Sequence, residues 1–164
     1  MPEQTRKSHQ KFCYETSIEW RGRRRGVVSA LEHPSLEVSS PPEFKGEPGL
    51  WSPEELLVAA VNSCLLMTFL AYAEREELEL ARFASTAEGL LEHSEGKYRI
   101  TEVVLKPDLV VNSEEDMLLA RDILERAHRD CIISNSLRAS VKLVPQFHAE
   151  VMNSPTSAPF TEAP

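Results

Sequence analysis

Apolar and polar residues alternate over residues 12–20, with aromatic and β-branched types at the apolar positions, and a period of two predicts a strand. Two further strands are expected at 26–31 and 36–39, separated by the turn-prone His33-Pro34-Ser35, so the chain should open with an antiparallel sheet. Residues 41–52 hold three prolines and two glycines, which predicts a loop leading from sheet to helix.

The period then changes. Ser52-Pro53-Glu54-Glu55 combines an N-cap serine, a proline in the first turn and a glutamate three residues after the cap, and predicts a helix running to about Glu76. Residues 81–92 and 97–111 read as a pair of long strands joined at Ser94-Glu95-Gly96. Pro107 should interrupt or bulge the second of these rather than sit in a central ladder. Ser113 is expected to cap a second helix whose apolar side is Met117, Leu118, Ala120, Ile123, Leu124 and Ala127. A last strand is expected at 139–144. The pattern gives an α+β fold with a domain over 12–150, a flexible N-terminus at 1–11 and a polar, proline-rich tail at 151–164.

Residues 56–73 approach the length of a membrane span. Asn62, Ser63 and Thr68 interrupt that run, and Glu54, Glu55 and Glu74 flank it, so a helix buried on all sides by protein is expected instead of a membrane partner. The formal charge of -8 argues against a nucleic-acid partner, whose binding draws on clustered Lys and Arg. The first ten residues are polar and charged, without the apolar stretch of a secretory signal, so a cytoplasmic location, where thiols stay reduced, is expected.

Three cysteines carry the candidate chemistry. Cys64 lies in the apolar helix, where a thiol ordinarily serves as a small hydrophobe. Cys131 follows the second helix beside His128, Arg129 and Asp130, where a thiol can meet solvent and charge. Cys13 has no partner at a recognisable spacing and reads as an incidental thiol. His128, Cys131, Cys64 and a carboxylate would make a rival zinc site, but no Cys-x-x-Cys pair and no second close histidine support it.

Ser52-Pro53-Glu54-Glu55-Leu56-Leu57, then Ala59-Ala60 and Cys64, resembles the signature of the OsmC/Ohr family (osmotically induced protein C / organic hydroperoxide resistance protein). His128, Cys131 and Ser134-Asn135-Ser136 are similar to the segment around that family's second cysteine. Pro41-Pro42-Glu43-Phe44, Gly46, Pro48-Gly49 and Trp51 also fit, and the likeness spans roughly 14–145. The resemblance implies antiparallel sheets packed on a long central apolar helix in an intertwined homodimer, with two sites at the subunit boundary. It implies a peroxidase that needs no metal or flavin. Cys64 would be the peroxidatic thiol, Cys131 the resolving thiol, and Glu54 and an arginine would complete the site. Arg23, Arg24 and Arg25 all precede Gly26; Arg24 is the favoured arginine and Arg25 the alternative, while His128 would lie in a supporting position. One departure is Ile132, where the family often carries proline.

The substrate so implied is an organic hydroperoxide, with hydrogen peroxide also conceivable, and an external dithiol would restore the thiols. Leu65, Met67 and Phe69 are expected to offer an apolar entrance. A small-molecule or thiol-binding protein of the same fold without turnover is the alternative.

Two physical demands stand beside the resemblance. A cysteine of ordinary pKa, about 8.5, is mostly protonated at neutral pH, so a cation should sit near Cys64. Cys64 is too deep in its own helix to feel that helix's N-terminus. Glu54 precedes it by ten residues, about 15 Å along a regular helix axis. Either the first turns are irregular, or Glu54 serves the Cys64 of a second subunit.

Overall fold

The structure, a computed structural model, describes residues 10–150. Most of the expected N-terminal segment and all of the expected tail lie outside the described residues. The chain divides into two compact units at the Pro53/Glu54 junction.

The first unit carries a three-stranded antiparallel sheet, β1 (Ser17–Trp20), β2 (Arg25–Ser29) and β3 (Leu36–Ser39), in that order. β1 is shorter than the alternation predicts. Its register pairs Ser17 with Ser29 and Trp20 with Gly26, so the ladder stops at Ser17, and residues 12–16 are exposed without a partner strand. The loop after β3 includes a single 3-10 turn, Pro42–Phe44, and returns to bridge Trp51 with Val38.

The second unit opens with α1 (Pro53–Arg75). Its composition is rich in Leu, Ala and Glu, the straight-chain and small residues that lose least on entering a helix. Its end is a two-bond cap: the Leu78 N–H reaches the Ala73 carbonyl at 2.9 Å and the Glu77 N–H the Glu74 carbonyl at 3.4 Å, with Glu77 in the left-handed region at φ 56°. Leu78 is buried just beyond.

Next come β4 (Leu80–Ser94) and β5 (Lys97–Val111), a long hairpin. It turns through Glu95 and Gly96, both at positive φ, as the twist of a two-residue hairpin loop demands. α2 (Glu114–Asp130) and α3 (Ile132–Ser136) then carry the chain back to β6 (Ser140–Leu143) and β7 (Gln146–Ala149). This return makes β6 and β7 parallel to β5, so the second sheet is mixed rather than purely antiparallel. The expected last strand at 139–144 is thus the first of two segments, with Pro145 between them.

Pro107 corrects a sequence expectation. It sits inside an unbroken β5, paired with Ser85, and the register shifts of the hairpin lie elsewhere, between Leu80 and Arg82 and between Leu90 and Leu91. The Leu105 and Val111 carbonyls accept from Val144 and Glu150 on the far side of β5. Alternate residues of a strand direct their backbone groups the same way, so Pro107 faces that side too. There β6 ends at Leu105 and β7 starts at Asp108, and the missing N–H falls in the gap between them.

One core fills the second unit: Val61, Leu65, Phe69 and Ala73 of α1, Val103, Leu105, Leu109 and Val111 of β5, and Ala120, Ile123, Leu124 and Ala127 of α2. The Phe69 and Phe83 rings meet at 5.3 Å between centroids. Asn62 ties α1 to β4, accepting from the Ser85 hydroxyl at 2.6 Å and donating to the Ser85 carbonyl at 3.3 Å. Gly89 lets the helix lie close, since a Cβ there would stand 2.5 Å from a Val58 methyl.

One expectation about burial needs correction. Leu118, assigned to the apolar side of α2, is 73% exposed, because the buried stripe runs through 120, 123, 124 and 127. Within one chain Val61, Leu65, Phe69 and Ala73 of α1 form one enclosed stripe, while Met67 is 59% exposed and Leu70 40%. Among the described residues α1 alone is long and apolar enough to cross a membrane by length and composition.

Candidate active site

Cys64 stands in the middle of α1. Cys131 stands at the joint between α2 and α3, ending one helix and beginning the next in extended backbone. Its position continues the buried stripe of α2, four residues after Ala127, and its side chain is fully buried. Cys131 therefore does not meet solvent. Cys64, expected to be the more enclosed of the two, is only partly buried.

The fold brings these two sulfurs together, both as free thiols, so that each acts on the other as a hydrogen-bonding neighbour. α3 supplies the rest. The first N–H groups of a helix lack intrahelical acceptors. In α3 the ladder closes with the Asn135 N–H on the Cys131 carbonyl at 3.0 Å, which leaves the N–H groups of Ile132, Ile133 and Ser134 for other partners. Those of Ile133 and Ile132 favour the charged form of the Cys64 sulfur, and that of Ser134 the charged form of the Cys131 sulfur. The Ser134 hydroxyl also donates to Cys131 Sγ at 3.1 Å.

These contacts separate the two thiols in acidity. Burial pushes Cys64 up, but the Ile133 N–H, the Cys131 thiol, the Thr68 hydroxyl and the Ile132 N–H together outweigh it, and its pKa falls below the ordinary cysteine value. Burial pushes Cys131 up as well. The Ser134 hydroxyl and N–H oppose it, but hydrogen bonding to Cys64 and its charge add to the rise, and the pKa ends above the ordinary value. The two shifts run in opposite directions, so Cys64 is the more acidic sulfur of the pair, the order that a nucleophile and a proton-bearing partner need.

A cation beside Cys64 is expected from the sequence; the influences that lower its pKa within the chain, against the larger single effect of burial, are neutral donors. Cys64 lies too deep in α1 to use that helix's N-terminus, but α3 presents its own. A five-residue helix leaves no periodic signal in the sequence, so this device was missed. Thr68, four residues after Cys64, could have been found from helical spacing alone.

Elsewhere the joint is held by polar contacts. The Tyr72 hydroxyl, two turns beyond Cys64, donates to Asp130 Oδ2 at 2.8 Å, which links α1 to the residue just before Cys131. Arg129 and Tyr72 hold the Asp130 carboxyl below its usual range, and Asp130 pushes the Tyr72 phenol up. The Asn135 amide donates to the Arg129 carbonyl at 2.8 Å and satisfies the end of α2.

The other expected site residues are placed as follows. Glu54 is in the first turn of α1, and since α1 is one continuous helix, it lies about 15 Å along the axis from Cys64 of its own chain. Its Oε2 is enclosed without a hydrogen-bond partner among the described residues. His128 lies one turn before Cys131; its Nδ1 is likewise enclosed and unpartnered, and it is not among the leading influences on either sulfur.

Arg24 lies in the turn between β1 and β2, and its guanidinium donates to the Phe44 carbonyl at 2.5 Å. Arg25 is committed to Glu37 at 2.8 Å and Glu47 at 3.5 Å. Leu65 and Phe69 belong to the core stripe and do not form an entrance. Cys13 is exposed in the first unit. Among the described residues no group of three or more His, Cys, Asp or Glu side chains is gathered as a metal site.

Comparison with known proteins gives a consistent result. The family described as OsmC-like protein matches residues 46–145. A curated relative, the uncharacterised protein YmaD of Bacillus subtilis, is 28% identical over 129 residues, covering 76% of this chain and 85% of its own. An OsmC-like protein of unknown function from Vibrio cholerae superposes with a TM-score of 0.75 at 23% identity, covering 82% of this chain and 99% of that one. An organic hydroperoxide resistance protein OsmC from Legionella pneumophila gives 0.66 at 24% identity, covering 85% and 100%. OhrB, an organic hydroperoxide resistance protein of Bacillus subtilis, gives 0.59 at 18%, covering 83% and 98%.

Proposed function

The chain belongs to the OsmC-like protein family, and from that premise we propose that it reduces organic hydroperoxides with Cys64 and Cys131 as its working thiols. The observation that carries this reading is the pairing of an acidic, partly exposed sulfur with a buried, less acidic one. Relatives of the same fold that are organic hydroperoxide resistance proteins support the choice of substrate.

The Cys64 thiolate attacks the distal oxygen of the hydroperoxide. The O–O bond breaks, the departing alkoxide takes a proton from solvent and leaves as the alcohol, and Cys64 becomes a sulfenic acid. The Cys131 thiol then attacks the Cys64 sulfur, water leaves, and a disulfide forms. A dithiol returns two electrons by exchange, and Cys64 and Cys131 regain their thiols. The bound N–H groups of Ile132 and Ile133 favour the charged nucleophile at the start of this cycle.

Arg24 and Glu54 are proposed to serve the same thiolate, on the strength of the family resemblance. Arg24 has fewer commitments than the ion-paired Arg25. A second copy of the chain is proposed to cover the exposed apolar surface of α1 and to receive Glu54, which is too far from Cys64 of its own helix. The reducing cytoplasm suits two free thiols.

Thiol titration with cumene hydroperoxide tests the reading. Two thiols per chain should disappear rapidly and return with dithiothreitol, and Cys64→Ser should abolish rapid peroxide consumption. Wild-type rates in Cys64→Ser would refute it.

A further inference from the structure

The reductive half of the cycle raises a question of direction that the geometry of the two sulfurs answers. An incoming thiolate must strike one sulfur of the disulfide, and the other leaves as a thiolate. We propose that the reductant attacks Cys64 and expels Cys131, and that Ser134 is the residue that receives the charge on the departing sulfur. This inference rests on the proposed redox pair and names the order of events within it.

Two effects compete. Leaving-group acidity alone favours expulsion of Cys64, the more acidic thiol, and so attack on Cys131. Access favours the reverse, because Cys131 is fully buried at the joint of α2 and α3 while Cys64 is partly exposed on α1. An external thiolate needs a clear line to the sulfur it strikes, opposite the bond that breaks. A sulfur with no exposed surface offers none, so access decides the first step.

The local donors fit that direction. Attack on Cys64 forms a bond from the reductant's sulfur to Cys64, breaks the Cys64–Cys131 bond, and leaves the electron pair on Cys131. Ser134 already aims its hydroxyl at Cys131 Sγ, at 3.1 Å, and its backbone N–H at the same sulfur. Two fixed donors where negative charge develops are what a departing thiolate requires in an enclosed site. In the second step the reductant's other thiolate attacks its own sulfur in the mixed disulfide, forms the cyclic or paired disulfide, and expels Cys64. There the acidity of Cys64 is an advantage, because it is now the leaving group. Ser134 therefore supports the step in which acidity alone would be unfavourable.

The test does not depend on peroxidase turnover. The wild-type chain is oxidised with diamide, treated briefly with 2-mercaptoethanol, quenched in acid, unfolded, alkylated and mapped by mass spectrometry. The expected product carries the mercaptoethanol adduct on Cys64 and the alkyl label on Cys131. An adduct on Cys131 with the label on Cys64 overturns the inference while leaving the redox pair intact. Failure of diamide to link Cys64 to Cys131 removes the pair itself, and the inference with it. Ser134→Ala should slow adduct formation about tenfold, the order of one hydrogen bond to a charged group. Ser134→Thr, which keeps the hydroxyl, should restore most of the rate; equal rates in all three chains would remove Ser134 from the step.

Discussion

The two long helices each bury four side chains in the same core, yet their remaining faces are opposite in character. α2 turns charge outward, with Arg121, Asp122, Glu125 and Arg129 exposed, as a helix at the edge of a single domain does. α1 turns Met67 and Leu70 outward and leaves Leu56, Leu57 and Leu66 half-buried. α1 thus carries more apolar surface than the described residues of its own chain cover, in keeping with the proposed second copy. The contrast also locates the chemistry. α1 holds Cys64 in the middle of a rigid rod, while α2 delivers Cys131 at a joint whose next turn supplies the donors.

The largest expected effect separates the two helices by their cysteines. Cys64→Ser should bring peroxide consumption down to the uncatalysed rate. Cys131→Ser should still permit one oxidation and accumulate a Cys64 sulfenic acid, seen as a dimedone adduct. Equal behaviour of the two variants would erase the distinction. Next in size is the shared core. Phe69→Ala, which empties the centre of the α1 stripe against Phe83, should cost about 3 to 5 kcal/mol in urea denaturation. A smaller loss is expected from Gly89→Ala, whose methyl would meet Val58 and force α1 off β4, at about 1 to 3 kcal/mol by the same measurement.

The smallest effect sharpens the role of α3. Ile132→Pro keeps a residue suited to the first turn of a helix but removes one N–H donor to the Cys64 sulfur. A thiolate stabilised by fewer donors holds its proton to higher pH, so the midpoint of Cys64 alkylation by iodoacetamide should rise. The wild-type midpoint should lie below that of an ordinary cysteine and below that of Cys131. An unchanged midpoint in Ile132→Pro would take the Ile132 N–H out of the account.

Much of this fold was legible in the sequence, for physical reasons that differ by element. α1 begins at Pro53 as its cap residues dictate, and the Ser113 hydroxyl accepts from the Asp116 N–H at 3.1 Å at the start of α2. The long hairpin was readable because its alternation and its Glu95-Gly96 turn agree. The expectation for Pro107 failed because the rule against proline in a ladder concerns the partner on its N–H side, and here that partner is a gap between β6 and β7. Leu118 was misplaced because apolar character does not fix which face of a helix is covered.

The candidate site was legible as a pair of cysteines but not as a mechanism for acidity. Cys64 and Cys131 stand out through their motifs, and the fold brings them together from distant parts of the chain. The donors from Ile132, Ile133 and Ser134 depend on how α3 starts after Cys131, a local backbone geometry with no signature in residue type. Neutral N–H groups at such a joint can lower a thiol's pKa without any charged residue in the sequence to mark the place.

The most direct check of the central claim is peptide mapping after one equivalent of cumene hydroperoxide is added to the reduced chain. Cys64 and Cys131 should be recovered linked to each other, two hydrogens lighter than the reduced pair, with Cys13 still free. Recovery of Cys64 and Cys131 as unlinked thiols after the peroxide has been consumed would contradict it.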